Sequence, residues 1–249
     1  MTSISPESRL CLLGGFQLQL NRRVVPVTIG SQRLVAFLAL HERPLPRGYV
    51  AGVLWPEVPT DRAYANLRAG LWRLPAACRR LVELSAQHLR LDRVVTVDLH
   101  AAVALAQRLL DRSVSCGEED LGVSARFRLA GDLLPTWYEE DWVLVERERF
   151  HQLRLHALEA LCERLTAAGR YGEAVDAGLS AVRAEPLRES AHRALIKAHL
   201  AEGNVGEAGR QYELCRHLLL NELGVEPSAR LRELVVREHR VLVTAGAAL

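Results

Sequence analysis

Long apolar runs, cysteine pairs and catalytic signatures are all missing from this 249-residue chain. No run of about 18 or more apolar residues occurs, so no membrane-spanning helix is expected. The opening MTSISPESRL has no basic segment leading into an apolar one, and no secretion signal is expected either. The five cysteines, Cys11, Cys78, Cys116, Cys162 and Cys215, are odd in number, and no two form a CxxC pair. That argues against a disulfide framework or a zinc site, and for thiols buried as small hydrophobes. HExxH, GxSxG and GxGxxG are absent, and so is GxxxxGK followed by Ser or Thr. His151 and His156, five apart on a helix, share a face poorly. With no catalytic spacing anywhere, no enzyme, cofactor or metal is expected.

What is present is an ordinary globular composition, 49% hydrophobic and 25% charged, in a chain long enough for two modest domains or one large one. The net charge of +2 is unevenly spread. Residues 1–97 carry 13 Arg against 6 Asp and Glu, a net of +7, whereas residues 98–249 carry 19 Lys and Arg against 24 Asp and Glu, a net of −5. A basic segment joined to an acidic one points to a polyanion-binding domain attached to a domain with another task.

Periodicity divides the basic segment further. Arg9–Leu13, the alternating Phe16–Leu20 and Val24–Val27 are separated by the turn signals Gly14-Gly15 and Asn21-Arg22, which predicts a small antiparallel meander. Ser31 is placed to cap a helix reaching about His41, with Leu34, Val35, Leu38 and Leu40 as its apolar stripe. A second short helix is expected over about Arg47–Leu54. A third opens near Pro59-Thr60-Asp61, capped by Thr60 or Asp61, with Tyr64, Leu67, Leu71, Leu74 and Cys78 facing inward. Leu81–Leu84 and His88–Leu91 can pair as a hairpin. Three helices closed by a hairpin describe a winged helix-turn-helix. From Asp98 onward no strand pattern is visible. Leu99–Leu110 is apolar, Ser113–Ser124 reads as a loop, and Leu133–Phe150 sets Trp137, Tyr138 and Trp142 among acids. AAGRYGEAV (167–175) then recurs as AEGNVGEAG (201–209), an offset of 34 that also pairs Ala157 with Ala191, Ala160 with Ala194 and Leu161 with Leu195. That period, with small residues at helix crossings and Gly169 and Gly203 at the turns, predicts tetratricopeptide-like helical pairs.

The third helix carries the functional expectation. With its apolar stripe inward, it presents Arg62, Asn66, Ala69 and Arg73, flanked by Arg68 and Trp72. A major groove admits such a helix: Arg reads guanine, Asn reads adenine, and a small residue touches a thymine methyl. Arg33, Arg79, Arg80, His88, Arg90 and Arg93 are candidate phosphate contacts.

Those residues carry a resemblance. RLCLLGGFQLQLNRRVVPV, SQRLVAFLAL and LWPEVPTDRAYANLRAGLWRL make residues 9–97 similar to winged-helix domains of the response-regulator type. DLLPTWYEEDWVLVERERFHQLRLHALEAL, AGRYGEAV, AEPLRESAHRALI and NELGVEPS make residues 98–240 similar to the bacterial transcriptional activator domain. Together the chain resembles the AfsR/SARP family, the Streptomyces antibiotic regulatory proteins. The resemblance implies a mainly α chain: a response-regulator-type winged helix-turn-helix with a small β-meander and wing hairpin (1–97), then an all-α tetratricopeptide-like domain (98–249). It implies a cytoplasmic, nucleoid-associated activator of secondary-metabolite genes. Such a protein binds promoter direct repeats, as a homodimer on DNA, and recruits RNA polymerase holoenzyme through sigma factor or the alpha C-terminal domain. Without the ATPase module of larger relatives, it is expected to be a small stand-alone member. One departure stands out: the family's basic run after the recognition-helix Leu is replaced by Pro75-Ala76-Ala77, so the helix should kink or end there.

A last candidate is the segment between the second and third helices, Trp55–Thr60. It has no Lys or Arg and is stiffened by two prolines, and the resemblance makes it an activation loop. Trp55, Glu57 and Val58 are therefore expected to meet RNA polymerase. A helical-repeat interaction scaffold and a repressor are the alternative readings; the scaffold leaves the basic segment without a task.

Overall fold

In the computed structural model, which describes residues 7–234, the predicted meander is present as β1 (Ser8–Cys11), β2 (Gln17–Leu20) and β3 (Arg23–Val25), paired antiparallel. Asn21 and Arg22 make the second turn with φ of 49° and 64°, the double left-handed geometry that suits a two-residue hairpin and that Asn adopts readily. Then come α1 (Ile29–Leu40), β4 (Leu45–Pro46), α2 (Arg47–Leu54) and α3 (Thr60–Trp72). A 3-10 segment (Ala76–Leu81) leads into β5 (Val82–Leu84), β6 (His88–Leu91) and β7 (Val95–Val97). β5 and β6 form the hairpin read from the sequence, and β4 adds a third strand to it, in the order β4-β6-β5. β7 was not anticipated. It pairs parallel with β1 and extends the meander to β3-β2-β1-β7.

Both expected helix caps differ. α1 starts three residues early, with Thr28 at its N-cap. Ser31 instead lies fully buried inside the helix, donating to the Gly70 carbonyl at 2.7 Å and accepting from the Thr28 hydroxyl at 3.1 Å. At α3, Pro59 holds the N-cap position, and its carbonyl receives the Ala63 N–H at 3.0 Å. Pro fixes a φ compatible with helix entry, so Thr60 and Asp61 become the first helical residues and not the cap.

The chain forms two compact units: residues up to Ala102 with Gly131–Phe150, and Val103–Ala130 with the residues from His151 on. Positions 1–6 and 235–249 of the expected domain ranges lie outside the described residues. The reason that 131–150 joins the first unit is visible in the hydrogen bonds. Gly14 N–H donates to Asp132 O at 2.8 Å and Leu134 N–H to Leu12 O at 2.9 Å, continuing the ladder beyond β1. A Cβ on Gly131 would come within 3.1 Å of Leu13, a contact tight enough that any larger residue would push the Leu13 backbone back by a few tenths of an ångström. The Arg147 guanidinium holds the following turn by donating to the carbonyls of Leu133, Leu134 and Trp137. Trp142 stands edge-on to Phe37 at 5.2 Å, and Trp137 bridges Trp142 and Phe16. The aromatic stretch thus finishes the first unit's core, while Tyr138 stays 75% exposed.

The second unit is helical. α4 (Asp98–Leu110) enters it, and the stretch read as a loop, Ser113–Ser124, contains one short helix, α5 (Glu118–Leu121), and the start of another, α6 (Val123–Arg128). α7 (Asp141–Ala167), which belongs to this unit from His151 on, α8 (Tyr171–Ala184), α9 (Glu189–Glu202) and α10 (Val205–Leu223) follow. The 34-residue repeat falls on successive helical pairs. Gly169 and Gly203 take left-handed φ of 72° and 88° at the equivalent turns, and Ala157, Ala174, Ala191 and Ala208 are fully buried where helices cross. Among the described residues all five cysteines are free thiols. Cys162, buried beneath Gly178, has its pKa pushed up to about 12 by burial, which marks it as an inert core thiol. No described helix is long and apolar enough to cross a membrane.

Candidate nucleic-acid interface

α3 is seated by small residues. Gly70 packs against the Gly30 carbonyl of α1, and Ala63 and Leu67 are buried beside it. From α2, Gly48 leaves room for the Tyr64 hydroxyl, which lies 2.6 Å from where a Cβ would stand. The inward face is therefore Ala63, Leu67 and Gly70, with Leu74 beyond the helix end, and Tyr64 and Leu71 only half-buried. At 100° per residue this turns the helix by about 50° from the expected stripe. The outward face turns with it. Asp61, Arg62, Ala65, Arg68 and Trp72 are exposed, while Asn66 and Ala69 move to a half-buried flank. Ala65 was missed. It lies on one stripe with Arg68 and Trp72, a signal that becomes legible once Ala63 and Gly70 are recognised as packing residues.

The helix ends at Trp72, with Arg73 as C-cap and Pro75 beyond, so the expected effect of the proline is observed. Arg79 completes this end. Its guanidinium donates to the Trp72 carbonyl at 3.0 Å and the Leu74 carbonyl at 3.2 Å, and lies 4.3 Å from the Trp72 ring centroid. A cation on the last carbonyls suits the negative end of the helix. Trp72, 71% exposed, is held as a platform beneath this cation.

The expected phosphate contacts separate into two groups. Arg33 is committed inside the first unit, pairing with Glu140 at 2.5 Å, donating to the Leu54 carbonyl at 2.6 Å and lying 6.0 Å from the Trp55 ring centroid. Arg90 faces Glu83 directly across the hairpin and makes a bidentate pair with both contacts at 2.7 Å. That pair holds the Glu83 carboxyl below the usual carboxylate range. Arg33, Arg79 and Arg90 therefore spend their donors within the fold. By contrast, Arg62, Arg68, Arg73, Arg80 and Arg93 are exposed, and their side chains hold no hydrogen bond or ion pair among the described residues. His88 is exposed on the hairpin. In the α2–α3 connection, Glu57 is exposed and unpaired, Val58 is half-buried, and Trp55 is half-buried under Arg33. No group of described residues forms a metal-binding cluster.

A helix-turn-helix with a three-stranded wing, followed by tetratricopeptide-like helical pairs, defines a winged-helix regulator class. Residues 97–237 match the family described as the bacterial transcriptional activator domain. The chain belongs to that family, as a member of the AfsR/SARP group. It is 31% identical over 226 residues to Regulatory protein AfsR of Streptomyces coelicolor, covering 83% of this chain and 22% of that protein. Regulatory protein DnrI of Streptomyces peucetius is 35% identical over 151 residues, covering 58% of this chain and 53% of its own length. The chain thus spans about a fifth of the AfsR proteins and about half of DnrI. A solved structure of Mycobacterium tuberculosis EmbR in complex with a low affinity phosphopeptide shares the fold, with a TM-score of 0.74 at 22% identity over 94% of this chain and 65% of that one.

Proposed function

We propose that this protein is a sequence-specific DNA-binding activator whose α3 enters the major groove by the face Arg62–Ala65–Arg68–Trp72. One observation carries the reading: among the described residues, all three Arg side chains of α3 and its C-cap are exposed and unpaired, in a basic segment where other guanidiniums are used internally. Helix-turn-helix proteins read bases mainly from the N-terminal part of the second helix. Base contacts are assigned to Arg62 and Asn66 in that part and to Arg68 and Ala69 in the turn that follows, with Ala65 close to the groove floor. Trp72 and Arg73 lie at the edge of the footprint, and Arg80, His88 and Arg93 face phosphates. Family membership supports promoter direct repeats as the target, side-by-side homodimers on DNA, RNA polymerase as the partner and secondary-metabolite genes as the regulon. The unpaired Glu57 supports the α2–α3 connection as the polymerase-facing loop.

The test begins with selection of bound fragments from genomic DNA, followed by anisotropy titrations of the selected site and a scrambled duplex. Arg68→Ala is expected to lose about 1–3 kcal/mol more on the selected site than on the scrambled one, where only a phosphate contact goes. Equal losses on both would remove Arg68 from base readout.

A further inference from the structure

The second unit contains a cavity of about 530 Å³ between the end of α4, α7 and α9. The repeat explains its construction. His156, Glu159 and Glu163 of α7 and Ser190, Arg193 and Lys197 of α9 all line it, and each residue of the first set is 34 positions from its counterpart. These are the inner faces of two equivalent helices, so the cavity is the concave side of the repeat.

Its charge is opposite to its surroundings. Residues 98–249 carry a net −5, yet the lining holds five cations, Arg112, Arg164, Arg193, Lys197 and Arg230, against only Glu159 and Glu163. Both carboxylates are engaged: Glu159 accepts from Arg188 and from the Ser190 hydroxyl at 2.6 Å, and Glu163 pairs with Lys197 at 3.2 Å. Arg112, Arg193 and Arg230 hold no hydrogen bond or ion pair among the described residues. Gathering unpaired guanidiniums in one concave site is unfavourable without an anion, and their planar forks match phosphate oxygens.

The walls carrying these cations are fixed. Arg164 donates to the carbonyls of Leu109 at 2.9 Å, Asp111 at 2.7 Å and Val114 at 3.2 Å, which clamps the turn that bears Arg112 onto α7. Ser228 N–H donates to the Glu189 carboxylate at 3.0 Å, which ties the segment of Arg230 to the start of α9. Leu110, 39% exposed, and the half-buried Ala160 supply an apolar patch beside the cations. We propose that this concavity binds a small phosphate-bearing ligand of about nucleotide size, its phosphate held by Arg112, Arg193 and Arg230 and its apolar part against Leu110 and Ala160. The volume lies within the range of small-molecule sites.

Isothermal titration of the full chain with pyrophosphate, and separately with ATP, tests this. Binding at about 1 mM or tighter is expected for both, with ATP the tighter because it also covers the apolar patch. Arg112→Gln with Arg193→Gln removes no internal bond, so the fold is retained, and should weaken both at least tenfold. Arg62→Ala with Arg68→Ala should leave both unchanged. Unaltered binding by the first pair, or its loss with the second, would move the anion to the first unit and overturn the site. Absence of heat with both probes would do the same. A phosphate-free oligoglutamate peptide binding more tightly than ATP in an Arg193-dependent way would overturn the ligand class.

Discussion

The salt dependence of DNA binding follows from which guanidiniums the fold leaves free. Five qualify beside α3 and the wing: Arg62, Arg68, Arg73, Arg80 and Arg93. If all five neutralise phosphate charge, log Kobs against log salt has a slope of about −4.5 per bound protomer, and a fourfold rise in salt weakens non-specific binding about 500-fold. Arg80→Ala should bring the slope to about −3.6 and the fourfold loss to about 150-fold. Arg79→Ala should leave the slope as it is, although it removes an arginine from the same surface. Its cost appears in stability, because the Trp72 and Leu74 carbonyls lose their donor and the Trp72 ring its cation, a loss of about 1–2 kcal/mol. Anisotropy titrations on random duplex across a salt series give the slopes, and urea unfolding gives the stability. If Arg79→Ala or Arg33→Ala flattened the slope as much as Arg80→Ala does, pairing within the fold would be no guide to phosphate contact, and the reasoning would be refuted.

Three further outcomes are expected. Ala208, fully buried at a helix crossing, has no room for a larger side chain, so Ala208→Leu should cost about 1–3 kcal/mol in a denaturant melt; an unchanged midpoint would mean the crossing is loose. His192 is buried neutral, its Nε2 2.8 Å from the Pro186 carbonyl and its Nδ1 2.7 Å from Gln211 Nε2, and burial pushes its pKa below the ordinary imidazole value. The unfolded chain therefore takes up the proton first, and stability should fall as pH drops below about 6.5 towards the folded pKa; His192→Gln should flatten that fall in melts compared at pH values on either side of it. Glu57→Lys with Val58→Ala should leave operator affinity equal or slightly higher while in vitro transcription falls several-fold; normal activation at saturating protein would make the loop a plain connector.

Much of the fold could be read from local patterning. The meander, α2, the wing hairpin and the 34-residue helical repeat each rest on signals contained within a short window: alternation, turn residues, or small residues at a fixed period. What escaped depends on distant partners. β7 is three residues long and exists because β1 offers it an open edge. The assignment of 131–150 to the first unit depends on Gly131 fitting against Leu13 and on Trp142 meeting Phe37, pairings more than a hundred residues apart that no periodicity encodes.

The candidate interface shows the same division more sharply. The sequence identifies which helix carries the long donors, because basic residues and an apolar stripe coexist there at helical spacing. It does not identify which donors are free. Arg33, Arg79 and Arg90 have the same chemistry as Arg62, Arg68 and Arg80, yet the first three are held by Glu140, by the end of α3 and by Glu83. Nor does hydrophobicity alone set the rotation of α3. Tyr64 and Leu71 are the larger side chains, but Gly70 lets α3 approach the Gly30 backbone of α1, and the Ser31 hydroxyl on the Gly70 carbonyl fixes it. Backbone proximity outweighs side-chain size at that crossing. The outward face, and with it the set of residues able to reach a base, is therefore decided by the smallest residues on the helix and not by its largest.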